Sequence, residues 1–538
     1  MKQEIIQEKM NLTFQKHYKG ISQRQYLNHA NYSDIRGKHV YFIGIGGVGM
    51  SAIAKILIDE GCFVSGSDSE CSPVTRNLEK LGAKINARQD GRDINHRTSL
   101  VITSAAIREN NPDLIKAKKL GLKIIKYSEF LGSLMKNRCG ITVSGTHGKT
   151  TTSAMISTIL KNEGYEPAFV IGGNVEGIGG SSCLGRGNFF IAEACEYDRT
   201  FLRLSPQVGV ITNIEEDHLD YYKDIDGITG AFSEFVSLIP EDGLLVVNND
   251  DINIKKVIKS AECRIENYSV IMATNKDLPD YVIQAGRTFI PESSSINKVS
   301  EPLADELHKE IYLESDSKWI AVMYYFDKGV SYFRVFNEGK HFGDFYLNMP
   351  GLHNVSNALA AITVCSYIGL DKKDIRKALK TFKGVHRRFQ TINNKYGITI
   401  IDDYAHHPTE IRLTLETAKS IYPSQRLYCV FQPHQHNRTR LLLKEFAKAL
   451  TLADKIIITD IYAARDSGME RASVSSSDLV QELQEIGGDV KYVKSLSKII
   501  NSLSSDVKKD DIILTMGAGN IWKVAHGLKS NLESKYDQ

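Results

Sequence analysis

The chain has 538 residues, more than one hydrophobic core organises, so about three domains of ordinary size are expected. Lys and Arg number 67 against 64 Asp and Glu, and the resulting formal charge of +3 excludes a broad basic surface for nucleic acid. Eight cysteines, at 62, 71, 139, 183, 195, 263, 365 and 429, form no C-x-x-C pair, which argues against structural zinc or a disulfide framework and fits a reducing cytoplasm. No apolar run is long enough to cross a bilayer, and the first ten residues lack the apolar core of a signal peptide, so no membrane association is expected.

Residues 1–37 read as a polar N-terminal extension with several aromatics and no assigned chemistry. A strand over 39–44 runs into Gly44-Ile45-Gly46-Gly47-Val48-Gly49, a match to G-x-G-x-x-G, followed by a helix over 50–60 and a second strand over 62–66 that ends near Asp68. That order places a nucleotide diphosphate on the helix start, with Asp68 as the acidic partner of the fingerprint; an ordinary loop carboxylate is the plain alternative. A strand over 99–103 ends at Ser104-Ala105-Ala106, at the carboxyl edge of the same sheet, where ligands bind.

The most informative stretch is Ser144-Gly145-Thr146-His147-Gly148-Lys149-Thr150-Thr151-Thr152, between a buried strand over 140–143 and a helix over 153–160. Gly145 and Gly148 let backbone N–H groups turn inward, Lys149 supplies a point charge for the outer phosphates of ATP, and the Thr150 hydroxyl is placed to ligate Mg²⁺. The spacing is shorter than the Walker A pattern; the plain alternative is a Gly-rich turn with an incidental lysine. Ile171-Gly172-Gly173-Asn174 follows beyond the helix. A strand over 189–192 then delivers Glu193, and one over 208–212 delivers Asn213, with Glu215, Glu216, Asp217 and His218 beyond it. Strand ends beside a phosphate loop are where a hard cation needs oxygen ligands, so Glu193 and His218 join Thr150 as candidate metal ligands, although imidazole is an unusual partner for Mg²⁺.

Residues 318–347 alternate as antiparallel strands, and the long stretch 270–320, with a loop at 291–295, carries no assigned role. Asn354 and Asn357 stand one helical turn apart, so both amides can face one ligand edge; capping by Asn354 is the cautious reading. From about 385, strands over 398–401, 426–431, 455–459, 490–493 and 511–515 alternate with helices. Polar groups gather after three of them: Asp402-Asp403-Tyr404-Ala405-His406-His407-Pro408, Gln432-Pro433-His434-Gln435-His436-Asn437-Arg438 and Met516-Gly517-Ala518-Gly519-Asn520. Several imidazoles with a Tyr and an Arg on one sheet edge are hard to read as structural.

The glycine-rich stretch from Gly44 to Ser51, Gly145 to Thr151, Thr212-Asn213-Ile214 with Asp217-His218, His386-Arg387-Arg388-Phe389 and the Asp402 to Pro408 run together resemble the Mur ligases, in order and over roughly residues 38–530. The resemblance implies an α/β chain of three domains: a Rossmann-like domain for a UDP-sugar over 38–137, a central P-loop ATPase domain over 138–384 whose mostly parallel sheet gains antiparallel strands, and a Rossmann-like domain for the amino acid over 385–538. It also implies an ATP-dependent ligase of peptidoglycan precursor synthesis, in which ATP phosphorylates the lactyl carboxylate of UDP-N-acetylmuramate and L-alanine attacks the acyl phosphate.

Carried over residue by residue, the pattern implies Lys149, His218 and Arg388 as catalytic groups and Thr150, Glu193 and His218 as metal ligands. Gly145, Thr146, His147, Gly148, Thr151, Asn213, Asn357 and Asp403 fall at ATP positions, and Gly44, Gly46, Gly47, Gly49, Asp68 and Ser104 at UDP-sugar positions. Tyr404, His406 and Arg438 fall near the amino acid, where Arg438 can fork onto its carboxylate. The expected assembly is a monomer or homodimer. Two departures stand out. Cys195 replaces the acidic residue often found two after the metal Glu, so Glu196 is not carried over as a site residue, and Gln435 stands where some members have an Arg for the amino-acid carboxylate. Three other readings compete: a recycling ligase of the same family that attaches a tripeptide, an NAD-linked oxidoreductase resting on the first glycine motif and Asp68, and a non-catalytic nucleotide sensor on the same scaffold.

Overall fold

The computed structural model describes residues 35–69, 72–136, 138–272, 316–327, 329–464 and 466–536. Most of the N-terminal extension and of the 270–320 stretch, including the 291–295 loop, lies outside the described residues. The fold is α/β throughout and contains three sheets.

The first sheet consists of β1 (His39–Ile43), β2 (Phe63–Ser67), β3 (Lys84–Asn86), β4 (Thr98–Thr103) and β5 (Ile124–Lys126), all parallel in the order β3-β2-β1-β4-β5. Because the chain leaves β1 first to one side and then to the other, a crevice opens at the carboxyl end of β1, where such sheets bind ligands. The helix Val48–Asp59 starts there, and the ends of β2 and β4 bring Asp68 and Ser104 to either side.

The second sheet has ten strands: β6 (Cys139–Ser144), β7 (Ala168–Val175), β8 (Gly180–Leu184), β9 (Phe189–Glu193), β10 (Val208–Ile211), β11 (Leu244–Asn248), β12 (Arg264–Met272), β13 (Trp319–Asp327), β14 (Val330–Asn337) and β15 (Lys340–Leu347). They run β15-β14-β13-β12-β11-β10-β6-β9-β7-β8, with β14 and β15 antiparallel at one end and β8 at the other. Central β6 is buried at every position, as a parallel strand covered on both faces must be. The helix Lys149–Asn162 packs over it and over β7 and β9, and against the helix Leu352–Tyr367, which covers β11 to β13, so that 11 residues of each helix are buried.

The third sheet comprises β16 (Gln390–Asn393), β17 (Thr399–Asp403), β18 (Leu427–Phe431), β19 (Lys455–Ile458), β20 (Val490–Tyr492) and β21 (Ile512–Met516), in the order β16-β17-β21-β18-β19-β20. Only β16 is antiparallel to its neighbour.

Two kinds of joint hold the three units. One apolar cluster runs from Ala52, Phe130 and Leu131 beside the first sheet to Ala168, Phe190 and Phe201 of the second, without a break. The two apolar clusters around the third sheet contain residues of that unit alone. Among the described residues, no helix is long and apolar enough to cross a membrane.

Candidate active site where the three sheets meet

The first glycine turn is shaped to present backbone donors. Gly47 caps the helix Val48–Asp59 with no side-chain hydrogen bond, so the first N–H groups are left for a ligand, and Asp68 Oδ2 accepts from Gly46 N at 2.8 Å. Ser104 donates its backbone N–H to the Ile43 carbonyl, which pins the β4 end beside the turn.

The second turn is tighter. Gly145 and Gly148 have φ of 131° and 83°, and a Cβ on either would lie 2.1 Å from Thr212 Oγ1 or 2.4 Å from Asn357 Oδ1. No side chain fits either position. The expected loop over 144–152 is shorter than read: Gly148 is the N-cap, and Lys149, Thr150, Thr151 and Thr152 already form the first turn of the helix Lys149–Asn162. Helix geometry therefore aims their N–H groups and the positive dipole end into the turn. Asn213 accepts from His147 N at 2.8 Å and donates to the His147 carbonyl at 3.2 Å, while Asn357 Oδ1 accepts from the Thr152 hydroxyl at 3.2 Å. Both amides thus brace the turn. Asn354 is not the cap of the helix Leu352–Tyr367, which is Gly351; its amide instead donates to the Pro350 carbonyl at 2.6 Å.

Lys149 Nζ folds back onto the Thr146 carbonyl at 3.0 Å and the Gly145 carbonyl, and reaches both Glu196 oxygens at 3.1 and 3.2 Å. Burial works against this ammonium, but Glu196, Cys195 and Glu193 together raise its pKa. Glu196, set aside on sequence grounds, is therefore at the centre of the site, 3% exposed. Its Oε1 also lies 3.9 Å from His218 Nε2. No sequence signal marks it: the residue is an ordinary acid beyond β9 until Lys149 folds back onto it.

Glu193 accepts from Gly172 N and lies against the Thr150 hydroxyl; burial nonetheless raises its pKa, so the carboxylate is short of positive charge. His218 Nδ1 is buried with no hydrogen-bond partner, and burial lowers the imidazole's pKa, leaving a neutral lone-pair donor. A hydroxyl, a carboxylate and an unpartnered imidazole nitrogen fit a divalent cation.

The third unit closes the site with charged side chains. Arg438 donates from Nε and Nη2 to Asp217 Oδ1 at 3.1 and 2.7 Å, and although burial opposes it, the guanidinium holds Asp217 well below the usual carboxylate range. Thr409 donates to Glu215 Oε2 at 2.5 Å, and His407 Nε2 meets the Glu216 carbonyl at 3.1 Å. His147 of the phosphate turn sits between Glu410 Oε1, 3.1 Å from Nδ1, and Glu215 Oε2, 3.6 Å from Nε2. Burial would lower its pKa, but Glu410 and Glu215 together raise it to about 9. Arg388 Nη1 lies 3.6 Å from the same Glu410 oxygen. Asp403 accepts from Phe389 N at 2.6 Å and Ala405 N at 2.7 Å, and its pKa rises to about 6 by burial against the pull of Arg388. Tyr404 lies under Arg387 and Arg388, 5.1 and 5.2 Å from ring centre to guanidinium, with His406 edge-on at 5.4 Å.

A cleft of about 210 Å³ joins all three units: Ala105 and Ala106 from the first, Asp217 and His218 from the second, Gln435 and Arg438 from the third. Of the candidate site residues, His218 and Arg438 line this cleft, which opens beyond Ser104 at the end of β4.

Comparison with known proteins matches the chain to three family descriptions: "Mur ligase family, catalytic domain" over residues 39–138, "Mur ligase middle domain" over 143–289 and "Mur ligase, glutamate ligase domain" over 387–519. It is 41% identical over 488 residues to the UDP-N-acetylmuramate–L-alanine ligase of Caldanaerobacter subterraneus subsp. tengcongensis, covering 90% of this chain and 96% of that one. To the ligase of the same name from Clostridium kluyveri it is 39% identical over 491 residues, covering 91% and 97%. Among solved structures it resembles UDP-N-acetylmuramate-alanine ligase from Thermotoga maritima, with a TM-score of 0.74, 27% identity and coverage of 92% and 99%. It also resembles a murein peptide ligase from Psychrobacter arcticus, with a TM-score of 0.66, 25% identity and the same coverages.

Proposed function

The chain belongs to the Mur ligase family, and from that premise we infer that it is the ATP-dependent ligase joining L-alanine to the lactyl carboxylate of UDP-N-acetylmuramate in peptidoglycan precursor synthesis. The observation that carries this reading is the full-length likeness to two L-alanine ligases, together with the convergence of three units on one cleft.

The proposal gives each unit one substrate. Residues 38–137 hold the UDP-sugar, its diphosphate on the N–H groups after Gly44, Gly46, Gly47 and Gly49, between Asp68 and Ser104. Residues 138–384 hold ATP along Gly145 to Thr151, with Asn213 and Asn357 bracing the turn; residues 385–538 bring Asp403 to the nucleotide side and Tyr404, His406 and Arg438 to the amine. Lys149 leaves Glu196 to neutralise the outer phosphate as it transfers, and Arg388 faces the same charge from the third unit. Thr150, Glu193 and His218 are the residues that would hold Mg²⁺, which offsets phosphate charge when bound. The carboxylate attacks the γ-phosphorus, ADP leaves, the alanine amine attacks the acyl carbon, and phosphate departs from the tetrahedral intermediate. Arg438 exchanges Asp217 for the alanine carboxylate. The proposal places the enzyme in the cytoplasm, with its nucleotide substrates, as a monomer or homodimer.

The 39–41% identity to two L-alanine ligases over nine-tenths of the chain favours a single amino acid over the tripeptide of the recycling reaction. Phosphate release measured with UDP-N-acetylmuramate and a panel of L-alanine, glycine, L-serine and the tripeptide tests the assignment. Turnover with L-alanine is expected; turnover with the tripeptide alone overturns it.

A further inference from the structure

Glu410 has no role in the reading above, yet it touches three residues that have one: His147, Arg388 and His406. It is the third residue of the helix Pro408–Ile421, after the cap His407, and its side chain is 12% exposed. One oxygen, Oε2, accepts from His406 N at 3.0 Å and lies 3.2 Å from His406 Nδ1. The other, Oε1, meets His147 Nδ1 at 3.1 Å and Arg388 Nη1 at 3.6 Å. Burial works against this carboxylate, and the imidazoles of His406 and His147 hold it well below the usual range.

A neighbouring arrangement, His147, Glu215 and His407, has the look of a three-ligand metal site, with candidate atoms within 4.8 Å of one another. The hydrogen bonds exclude it. His407 Nε2 is committed to the Glu216 carbonyl and Nδ1 to the Thr409 N–H, so that imidazole has no lone pair to give. The groups facing His147 are Glu410 from the helix start, Glu215 after β10, and the ring of His407 at 4.8 Å, which burial and His147 keep neutral by lowering its pKa to about 4. The imidazole of His147 therefore reads as a cation between two carboxylates, Nδ1 on Glu410 and Nε2 3.6 Å from Glu215.

We propose that Glu410 is a positioning residue for phosphoryl transfer: one carboxylate that clamps His147 of the phosphate turn, Arg388 beside the phosphates and His406 beside the amine, so that the nucleotide and amino-acid subsites are set together. Of the two carboxylates flanking His147, Glu410 alone comes from the third unit. Docking of that unit therefore brings the second carboxylate onto His147 and strengthens the positive charge within the phosphate turn, beside the Glu215 that the central unit already supplies. Sequence alone gives Glu410 the look of a helix-capping acid, and the test must separate the two roles.

This proposal rests on the ligase reading, and Glu410→Gln in the full chain tests it, because glutamine keeps an acceptor for the His406 N–H while losing the charge. The expected result is a fall in kcat/KM for ATP of about tenfold or more, an unchanged KM for UDP-N-acetylmuramate, and a thermal midpoint within a few degrees of wild type. The basic limb of the kcat profile moves to lower pH, and histidine NMR shows the His147 titration falling from about 9 toward its ordinary range. Glu410→Asp recovers part of the rate. Wild-type kinetics and an unmoved His147 titration in Glu410→Gln overturn the proposal, as does a loss confined to Glu410→Ala that tracks its thermal midpoint. Inactivity of wild type on every acceptor overturns the ligase reading instead; the NMR titration still decides the role of Glu410.

Discussion

The central unit is joined to its neighbours in opposite ways. Toward the first unit the joint is apolar: Ala52, Phe130 and Leu131 share one core with Ala168, Phe190 and Phe201, and the Ser182 hydroxyl donates to the Ala52 carbonyl at 3.0 Å. Toward the third, the joint is built of charge and hydrogen bonds: Arg438 on Asp217, Thr409 on Glu215, and His147 on Glu410. Burying apolar surface is non-directional and costly to undo, whereas charged contacts can be exchanged for ligand groups of like charge. The sugar's platform is thereby fixed to the ATP site, and the amine's platform is held by contacts that the substrates themselves can replace.

Breaking the polar joint at its most buried pair has the largest expected effect. In Arg438→Ala, Asp217 is left buried without its partner, which costs about 3–5 kcal/mol, expressed as undocking of the third unit. Small-angle scattering should show a larger radius of gyration and the rate with alanine should collapse, with UDP-sugar affinity unchanged; a compact, fully active variant contradicts the comparison. Lys149→Ala leaves both joints whole and removes the phosphate clamp, so kcat should drop by about 10²–10³, or ~3–4 kcal/mol, without change in scattering or sugar binding. Near-normal turnover there means that the clamp is another residue.

The apolar joint is probed at Gly132, where a Cβ would lie 2.1 Å from the Arg203 carbonyl. Gly132→Ala should cost about 1–3 kcal/mol of stability by overpacking, lowering the thermal midpoint while leaving alanine KM alone. A midpoint equal to wild type would show this joint to be loose.

The smallest effect is pH-dependent. His147 has its pKa raised to about 9 in the folded chain, so its contribution is complete below the ordinary imidazole value near 6.5 and is lost as pH rises through 9. Stability should therefore decline between about pH 6.5 and 9 more in wild type than in His147→Gln. Identical slopes would remove His147 from the polar joint.

Much of this was legible in the chain because strand ends carry chemistry in parallel sheets. The turns at Gly44 and Gly145, Glu193 after β9, Asn213 to His218 after β10 and the three polar clusters of the third unit all lie where periodicity placed them. Some features were not legible. Glu196 and Glu410 are ordinary acids in sequence, one after a strand and one in a first helical turn, and only the three-dimensional return of Lys149 and His147 gives them partners. The edge strands β8 and β16 lack the apolar run that marks a buried strand, and the start of the helix at Lys149 was hidden because three successive threonines favour no single local structure. The contrast between the two joints needed the packing itself, since apolar residues at a sheet face do not say which neighbour covers them.

The claim on which the rest depends is that the phosphate turn aims the outer phosphate of ATP at the sugar's carboxylate. UDP-N-acetylmuramate labelled with oxygen-18 in that carboxylate, turned over with ATP, magnesium and L-alanine, measures it directly. One labelled oxygen should appear in the released phosphate for each amide formed; amide formation with unlabelled phosphate would contradict the account.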